Sequence, residues 1–312
     1  MLRKLIPWAL IAGGLFAVSA LAALVTDVET AMSHGNFPLA EAMLASYRSQ
    51  GGVTPEYLEA LSWLARGDLI TRQFDKADAN AKETEKLAAQ SLATRPLDAE
   101  PHLPLALGAA IEVEAQVLTA NGDRAGALAL LRKDLLTYRG TSIRTRIQKN
   151  INLLTLEGRP APALQETEFL GAKPAPLLAL RGKPILLFFW AHWCPDCKQE
   201  EHILAQIARE YAPKGLVMIA PTQRYGYVAN GDEAGPADEL KYIEQIRHQY
   251  YADLLSVPAP VSEANFRNYG ASTTPTLVLI DRQGIVRVYH PGAMTLDELR
   301  AALNKIELNR VG

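Results

Sequence analysis

The residues whose type and spacing best suit chemistry are two cysteines, Cys194 and Cys197, which are separated by Pro195 and Asp196. In the first turn of a helix, two cysteines at this spacing have α-carbons close enough to bridge without backbone movement. The chain has only 2 cysteines among 312 residues, too few for a disulfide framework or for a zinc site with four cysteine ligands. The pair therefore predicts thiol–disulfide chemistry.

The positions of the two thiols predict their roles. A helix N-terminus carries exposed N–H groups and partial positive charge, which stabilise a thiolate. We therefore expect Cys194 to be the nucleophile and Cys197, one turn deeper, to resolve the mixed disulfide. Three alternatives are weaker. Zinc needs two more ligands, haem attachment needs a histidine where Lys198 stands, and a structural disulfide would close a very small loop.

The segments around the cysteines predict an α/β domain with a mixed sheet. A continuous apolar run of strand length precedes the pair and a helix with one apolar face follows it. A second apolar run, a further helix and two strands around a turn come next, and Thr295 with Glu298 predicts a capping box for a final helix. The predicted strands are 185–190, 215–220, 276–280 and 285–289, and the earlier helices are 198–211 and 238–250.

The N-terminal half predicts helices alone. Apolar residues recur at spacings of three and four between residues 26 and 156. Three similar segments, 35–40, 72–77 and 122–127, each open an Ala-rich helix. A break at Glu157–Pro162 ends the helical pattern, because proline lacks a backbone donor. We therefore predict an all-α domain over residues 24–158 and an α/β domain over residues 159–312.

Residues 1–23 have the pattern of an export segment. Arg3 and Lys4 precede an uncharged, mostly apolar stretch that ends in small residues. The stretch is just long enough to span a bilayer, so both a cleaved signal peptide and a retained membrane anchor stay open. Either one predicts a periplasmic or otherwise extracytoplasmic protein. The net charge of −2 gives no electrostatic support for nucleic-acid binding, and a membrane is expected only at this anchor.

The run from Trp190 to Cys197 resembles the active site of the thioredoxin superfamily. Lys183-Pro184 before the strand and Lys198-Gln199-Glu200 after the second cysteine are most similar to the exported TlpA/ResA branch. The resemblance covers about residues 161–305 and implies a thioredoxin-like fold there. The helical half weakly resembles degenerate tetratricopeptide repeats, and a plain helical bundle is the equal alternative.

The resemblance implies further site residues. Pro275 stands where the family has a cis proline beside the cysteines, so we expect a cis Thr274–Pro275 bond. Glu200 stands where the branch has a carboxylate near the redox site, able to exchange a proton with Cys197. A helical glutamate facing solvent is the alternative. Catalysis is therefore expected from the two cysteines, Glu200 and Pro275, and substrate contacts from Trp193, Pro195 and Thr274, with no metal and no cofactor beyond the disulfide.

Two residues depart from the branch's pattern. His202 replaces a proline that often follows the glutamate, and Asp196 occupies the position where strong oxidants have histidine. A carboxylate disfavours a neighbouring thiolate, so Asp196 predicts a mild oxidant or a reductant. Residues 221–260 hold more chain than a minimal thioredoxin needs, which predicts a surface insertion or a lip that selects the partner.

Two functions from different classes follow. The first is an exported thiol–disulfide oxidoreductase that exchanges disulfides with partner proteins, as a reductant, and receives electrons from a membrane or periplasmic donor. The second is a non-catalytic scaffold whose helical repeats and thioredoxin-like domain recognise extended segments. A peroxidase is disfavoured, because its reactive cysteine follows a Thr-x-x pattern that residues 191–193 lack.

Overall fold

The computed structural model describes residues 24–308, so the predicted signal peptide or anchor at residues 1–23 lies outside the described part. The described chain forms two compact units. The first comprises residues up to 127 together with 141–143, and the second comprises residues 128–140 and those from 144 onward.

The first unit is helical, as the sequence predicts. The helices that precede the sheet are α1 (Leu24–Ser33), α2 (Phe37–Gly51), α3 (Pro55–Ile70), α4 (Phe74–Leu92), α5 (His102–Ala120), α6 (Arg124–Thr137) and α7 (Arg144–Thr155). The first five lie in the first unit, where α3 packs against α1, α4 and α5. By length and composition one described helix, α5, is apolar enough to cross a membrane, but most of it is buried inside the protein, as in an ordinary core helix.

The three similar segments of the helical half form the same turn. Gly35, Arg72 and Gly122 have φ of 70°, 62° and 86°. In each case the N–H of the following residue donates to the carbonyl oxygen five residues earlier, at 2.8 Å. A residue in the left-handed conformation at the helix end, followed by this hydrogen bond, is the Schellman motif. The likeness among the segments is therefore a shared helix ending, while membership in a tetratricopeptide family stays a prediction.

The second unit contains a four-stranded mixed sheet. The strands of this unit are β1 (Phe169–Leu170), β2 (Ile185–Phe189), β3 (Val217–Ile219), β4 (Ala259–Pro260), β5 (Thr276–Ile280) and β6 (Val286–Pro291). The order in the four-stranded sheet is β3-β2-β5-β6, with β2 parallel to β3 and antiparallel to β5, and β5 antiparallel to β6. The strands β1 and β4 form a separate, two-stranded antiparallel sheet.

Helices cover both faces of this sheet. They are α8 (Pro195–Gln199), α9 (Glu201–Tyr211), α10 (Pro236–Tyr250), α11 (Glu263–Tyr269) and α12 (Leu296–Leu308). Side chains of a strand alternate between faces. In β2, Leu186 and Phe188 therefore enter the core cluster that contains the cysteines, while Leu187 and Phe189 enter a second cluster on the other face.

The observed elements match most of the sequence prediction and refine it. β5 has the predicted bounds, and Thr295 and Glu298 form the capping box, with the Thr295 N–H donating to Glu298 Oε2 at 2.8 Å. The compact units divide earlier than residue 158: α7 belongs to the second unit and packs on α11. The domain boundary at 158 stays a prediction from the break in helical pattern.

Candidate active site

The two cysteines lie where β2 gives way to α8, and they are joined in a disulfide. Their α-carbons are 5.3 Å apart, and both side chains are buried. Cys194 is the N-cap of α8, and the backbone N–H of Cys197 points at Cys194 Sγ from 3.1 Å. In the reduced protein this donor faces the sulfur that carries the negative charge, so the local fold stabilises a Cys194 thiolate.

Pro195 takes the first helical position after the N-cap. A missing N–H costs little there, and the fixed φ of proline suits the first turn. The helix continues almost without a break, because Glu200 keeps a helical backbone between α8 and α9 and its N–H donates to the Asp196 carbonyl at 3.0 Å. The cysteine pair is therefore held at the start of a longer, slightly kinked helix.

The segment before β5 lies against the cysteines. The Thr274–Pro275 peptide bond is cis, which confirms that expectation. The carbonyl oxygen of Thr274 lies 3.3 Å from Cys194 Sγ, at the distance where a reduced Cys194 thiol donates a hydrogen bond to it. The antiparallel pairing of Phe189 in β2 with Thr276 in β5 brings the two segments together.

Glu200 is buried, with 2% of its surface exposed, so the alternative of a solvent-facing glutamate is wrong. Burial raises the pKa of Glu200 to about 7, and the hydrogen bond from the Met294 N–H, at 3.0 Å, opposes that rise. The pKa is also lowered by His202 and raised by Asp196. A carboxyl that titrates near neutral pH, one turn beyond Cys197, has the proton affinity of an acid–base group.

Trp193 is the exposed aromatic residue of the motif, with 46% of its surface accessible beside the buried disulfide, and Pro195 and Asp196 are exposed as well. Its indole meets the Tyr225 ring edge-on at 5.6 Å. The neighbouring Trp190 points inward and donates from Nε1 to the Ala220 carbonyl at 3.1 Å. Of the two tryptophans before the cysteine pair, Trp190 therefore faces the core and Trp193 faces the solvent.

Sequence reasoning missed one pair of this region. His192 is buried, and its Nε2 lies 3.3 Å from Glu239 Oε1. Glu239 is 47 residues further along the chain, in α10, and no local pattern connects the two. Among the described residues no cluster of potential metal ligands is present.

Two features of the site together define a thioredoxin-like redox domain. A cysteine pair lies at the start of a helix that follows a buried strand. A cis proline, just before an antiparallel strand, lies opposite that pair. The sequence profile of the thioredoxin-like domain family matches residues 177–307. The chain is 28% identical over 184 residues to the thioredoxin-like protein YneN of Bacillus subtilis, an alignment that spans 58% of this chain and 95% of YneN.

A second relative carries a name that describes thiol–disulfide chemistry. The chain is 30% identical over 137 residues to the thiol:disulfide interchange protein DsbE of Pseudomonas fluorescens, covering 44% of this chain and 67% of that protein. The solved structure of Etrx1, an exposed lipoprotein thioredoxin from Streptococcus pneumoniae, is 24% identical with a TM-score of 0.37, over 46% of this chain and 99% of Etrx1.

The chain belongs to the thioredoxin-like family of ResA- and DsbE-type thiol–disulfide oxidoreductases. It is therefore an enzyme of that class, with a Cys-x-x-Cys pair at residues 194 and 197. The catalytic and substrate-binding roles of the individual site residues, those of Cys194 and Cys197 included, stay predictions.

Proposed function

We propose that this protein is an exported disulfide reductase that transfers electrons from Cys194 and Cys197 to disulfides of partner proteins. The observation that carries the proposal is the setting of Cys194 Sγ, which faces the Cys197 N–H from 3.1 Å and the Thr274 carbonyl from 3.3 Å. The first group stabilises a thiolate, and the second marks the edge where an extended substrate segment would lie.

The reaction would proceed in two exchanges that balance electrons and protons. The Cys194 thiolate attacks one sulfur of the substrate disulfide, forms a mixed disulfide and releases the other sulfur as a thiolate, which is protonated. Cys197 then loses its proton and attacks Cys194 Sγ. This step releases the second substrate thiol and leaves the Cys194–Cys197 disulfide, the state present in the structure.

Glu200 is the proposed proton acceptor for Cys197 during the second exchange. Its pKa of about 7 lets it take a proton at neutral pH and return it to the released thiol. Trp193, Pro195, Thr274 and Pro275 would contact the substrate, since Trp193 is the exposed ring of the motif and Thr274 offers its carbonyl beside Cys194.

Export rests on the positive and apolar pattern of residues 1–23. An extracytoplasmic reductase needs a source of electrons, because each turnover leaves its disulfide oxidised. We therefore include a membrane or periplasmic dithiol donor among the partners, together with the disulfide-bearing substrates. The helical unit is proposed to recruit one of these partners, with no nucleic acid involved.

The test is to trap the mixed disulfide in the full chain. Cys197→Ser should accumulate adducts with extracytoplasmic proteins that dithiothreitol dissolves, because the variant attacks substrates but does not resolve them. Cys194→Ser is the matched control, since it keeps one thiol but lacks the nucleophile. Adducts in neither variant, or equal adducts in both, would reject the proposal and favour the non-catalytic scaffold.

A further inference from the structure

A buried polar pair that the redox reaction does not use lies beside the cysteines. His192 and Glu239 are each only 1% exposed, and His192 Nε2 lies 3.3 Å from Glu239 Oε1. His192 is two residues before Cys194 on the turn that follows β2, while Glu239 is in the first turns of α10. A buried charge of this kind is costly unless several donors satisfy it.

Glu239 has those donors, and two of them come from the residues that we call the insertion loop, 222–235. The backbone N–H of Tyr225 and that of Gly226 both donate to the Glu239 carboxylate, the latter at 2.9 Å. His192 Nε2 is the third polar atom at the carboxylate, and it donates to Oε1 in the tautomer that carries the ring proton on Nε2. Burial lowers the pKa of His192, which favours the neutral imidazole, and the Glu239 hydrogen bond opposes that shift.

The imidazole of His192 is enclosed by tyrosine rings. The rings of Tyr225, Tyr227 and Tyr242 meet it edge-on, with centroids 5.5, 5.4 and 5.3 Å away. Two of these tyrosines belong to the insertion loop, so the same side chain that binds Glu239 also packs the loop against the active-site turn. Such edge-to-face contacts are favourable beyond the area they bury.

Tyr225 connects this packing to the solvent-facing side of the site. Its ring meets the exposed Trp193 indole edge-on at 5.6 Å. The nearest cation of the loop, Arg224, is already paired with Glu168 and donates to the Pro236 carbonyl at 2.9 Å. Trp193 and Tyr225 therefore form an aromatic surface, which we call the aromatic wall, without an unpaired charge from Arg224 beside it.

We propose that His192 and Glu239 are positioning residues that hold the insertion loop beside Cys194, so that the aromatic wall selects substrates with an aromatic side chain next to the reacting disulfide. The inference rests on the proposed disulfide-reductase function and adds its substrate preference. Glu239 holds the backbone of the insertion loop, and His192 holds the tyrosine rings of that loop. Tyr225 in turn holds the exposed Trp193 indole, on which the substrate side chain packs.

The test compares three disulfides as substrates of the reduced full chain: two matched peptides with phenylalanine or serine next to the disulfide, and bis(2-hydroxyethyl) disulfide. The wild type should favour the phenylalanine peptide by about three- to tenfold, the range of one aromatic pair. Glu239→Gln should remove that preference through a higher KM and leave the rate with the small disulfide unchanged. Asp238→Asn, an exposed neighbour on the same helix, is the control.

Hydrogen exchange gives a readout that does not depend on reduction. Glu239→Gln should speed exchange at the Tyr225 and Gly226 amides by about tenfold or more, because hydrogen bonds to a charged acceptor are the strong ones. Equal losses with all three disulfides, or unchanged exchange at both amides, would overturn the inference. If the wild type reduces none of the disulfides, the proposed function fails, and the exchange data still decide whether Glu239 holds the loop.

Discussion

The buried carboxyl of Glu200 accepts a hydrogen bond of 3.0 Å from the backbone N–H of Met294. This bond fixes the carboxyl one turn beyond Cys197, at the junction of α8 and α9. The low polarity around it, rather than a neighbouring charge, is the main cause of its pKa of about 7. Glu200 therefore changes its charge in the pH range where the enzyme is expected to work.

Glu200→Gln should slow the second exchange step at pH 7 by roughly tenfold to a hundredfold, at or below the lower limit of typical general acid–base effects, because thiols ionise readily. In the wild type the rate should rise as pH increases through about 7, where Glu200 becomes an effective base. In the variant this rise should move to the higher pH at which a thiol ionises unaided. Stopped-flow kinetics with a peptide disulfide measures both profiles, and superimposable profiles would contradict the assigned role.

The same substitution should change how stability depends on pH. The folded-state pKa of Glu200 lies above its unfolded value of 4.5, so the native state holds the extra proton between pH 4.5 and about 7. Stability from this group is therefore present at low pH and is lost as pH rises through that interval, by about 3 kcal/mol at most.

The measurement is urea unfolding of the oxidised wild type and Glu200→Gln at pH 5 and pH 8. The quantity to compare is the difference in unfolding free energy between the two proteins at each pH. Burial also raises the pKa of Glu114 in the helical unit to about 8, so Glu114 changes the stability of both proteins over the same range. The variant should gain stability relative to the wild type at pH 8. A difference independent of pH would mean that Glu200 does not titrate in this range.

Substitution of Gly270 tests the packing of α7 against α11 within the second unit. Gly270 has φ of +62° at the end of α11, and a Cβ there would lie 2.4 Å from the backbone nitrogen of Lys149 in α7. Gly270→Ala should cost roughly 2–5 kcal/mol, from the left-handed backbone and from the overlap with a helix that must move.

Gly215→Ala is the matched control for this substitution. Gly215 also has a positive φ, of +95°, but a Cβ there meets nothing within 4 Å. Its substitution should cost only the backbone term, roughly 1–2 kcal/mol. Chemical denaturation of both variants gives the comparison. Equal losses would show that α7 does not pack on Gly270 in solution.

Local patterns were enough to predict much of this fold. The bounds of β5 follow from a run of β-branched and aliphatic residues, and the Thr295–Glu298 box follows from a spacing of three. The cysteine pair could be placed at a helix start because an apolar run of strand length precedes it and a helix with one apolar face follows it. The cis bond at Pro275 needed a family resemblance, because only a few per cent of such bonds are cis in folded proteins.

Contacts between distant segments could not be predicted in this way. The burial of Glu200 depends on Met294, 94 residues later, and the His192–Glu239 pair joins residues 47 apart. The helix α7 reads as the end of the helical half, yet the Asn152 amide donates to the Asn268 carbonyl 116 residues away. The spacing of apolar residues in a single sequence shows which face of a helix or strand is buried, but it does not show which other element covers that face.

The reduction potential of the Cys194–Cys197 pair decides whether this protein is a reductant. The purified protein is equilibrated in glutathione or dithiothreitol buffers, and the reduced fraction is read by thiol alkylation and mass. We expect a reversible disulfide with a potential near that of thioredoxin, ~−270 mV, since Asp196 disfavours the Cys194 thiolate. A potential near ~−120 mV would instead make the protein a strong oxidant and contradict the proposed reductase. The absence of a reversible disulfide would contradict any redox function of the pair.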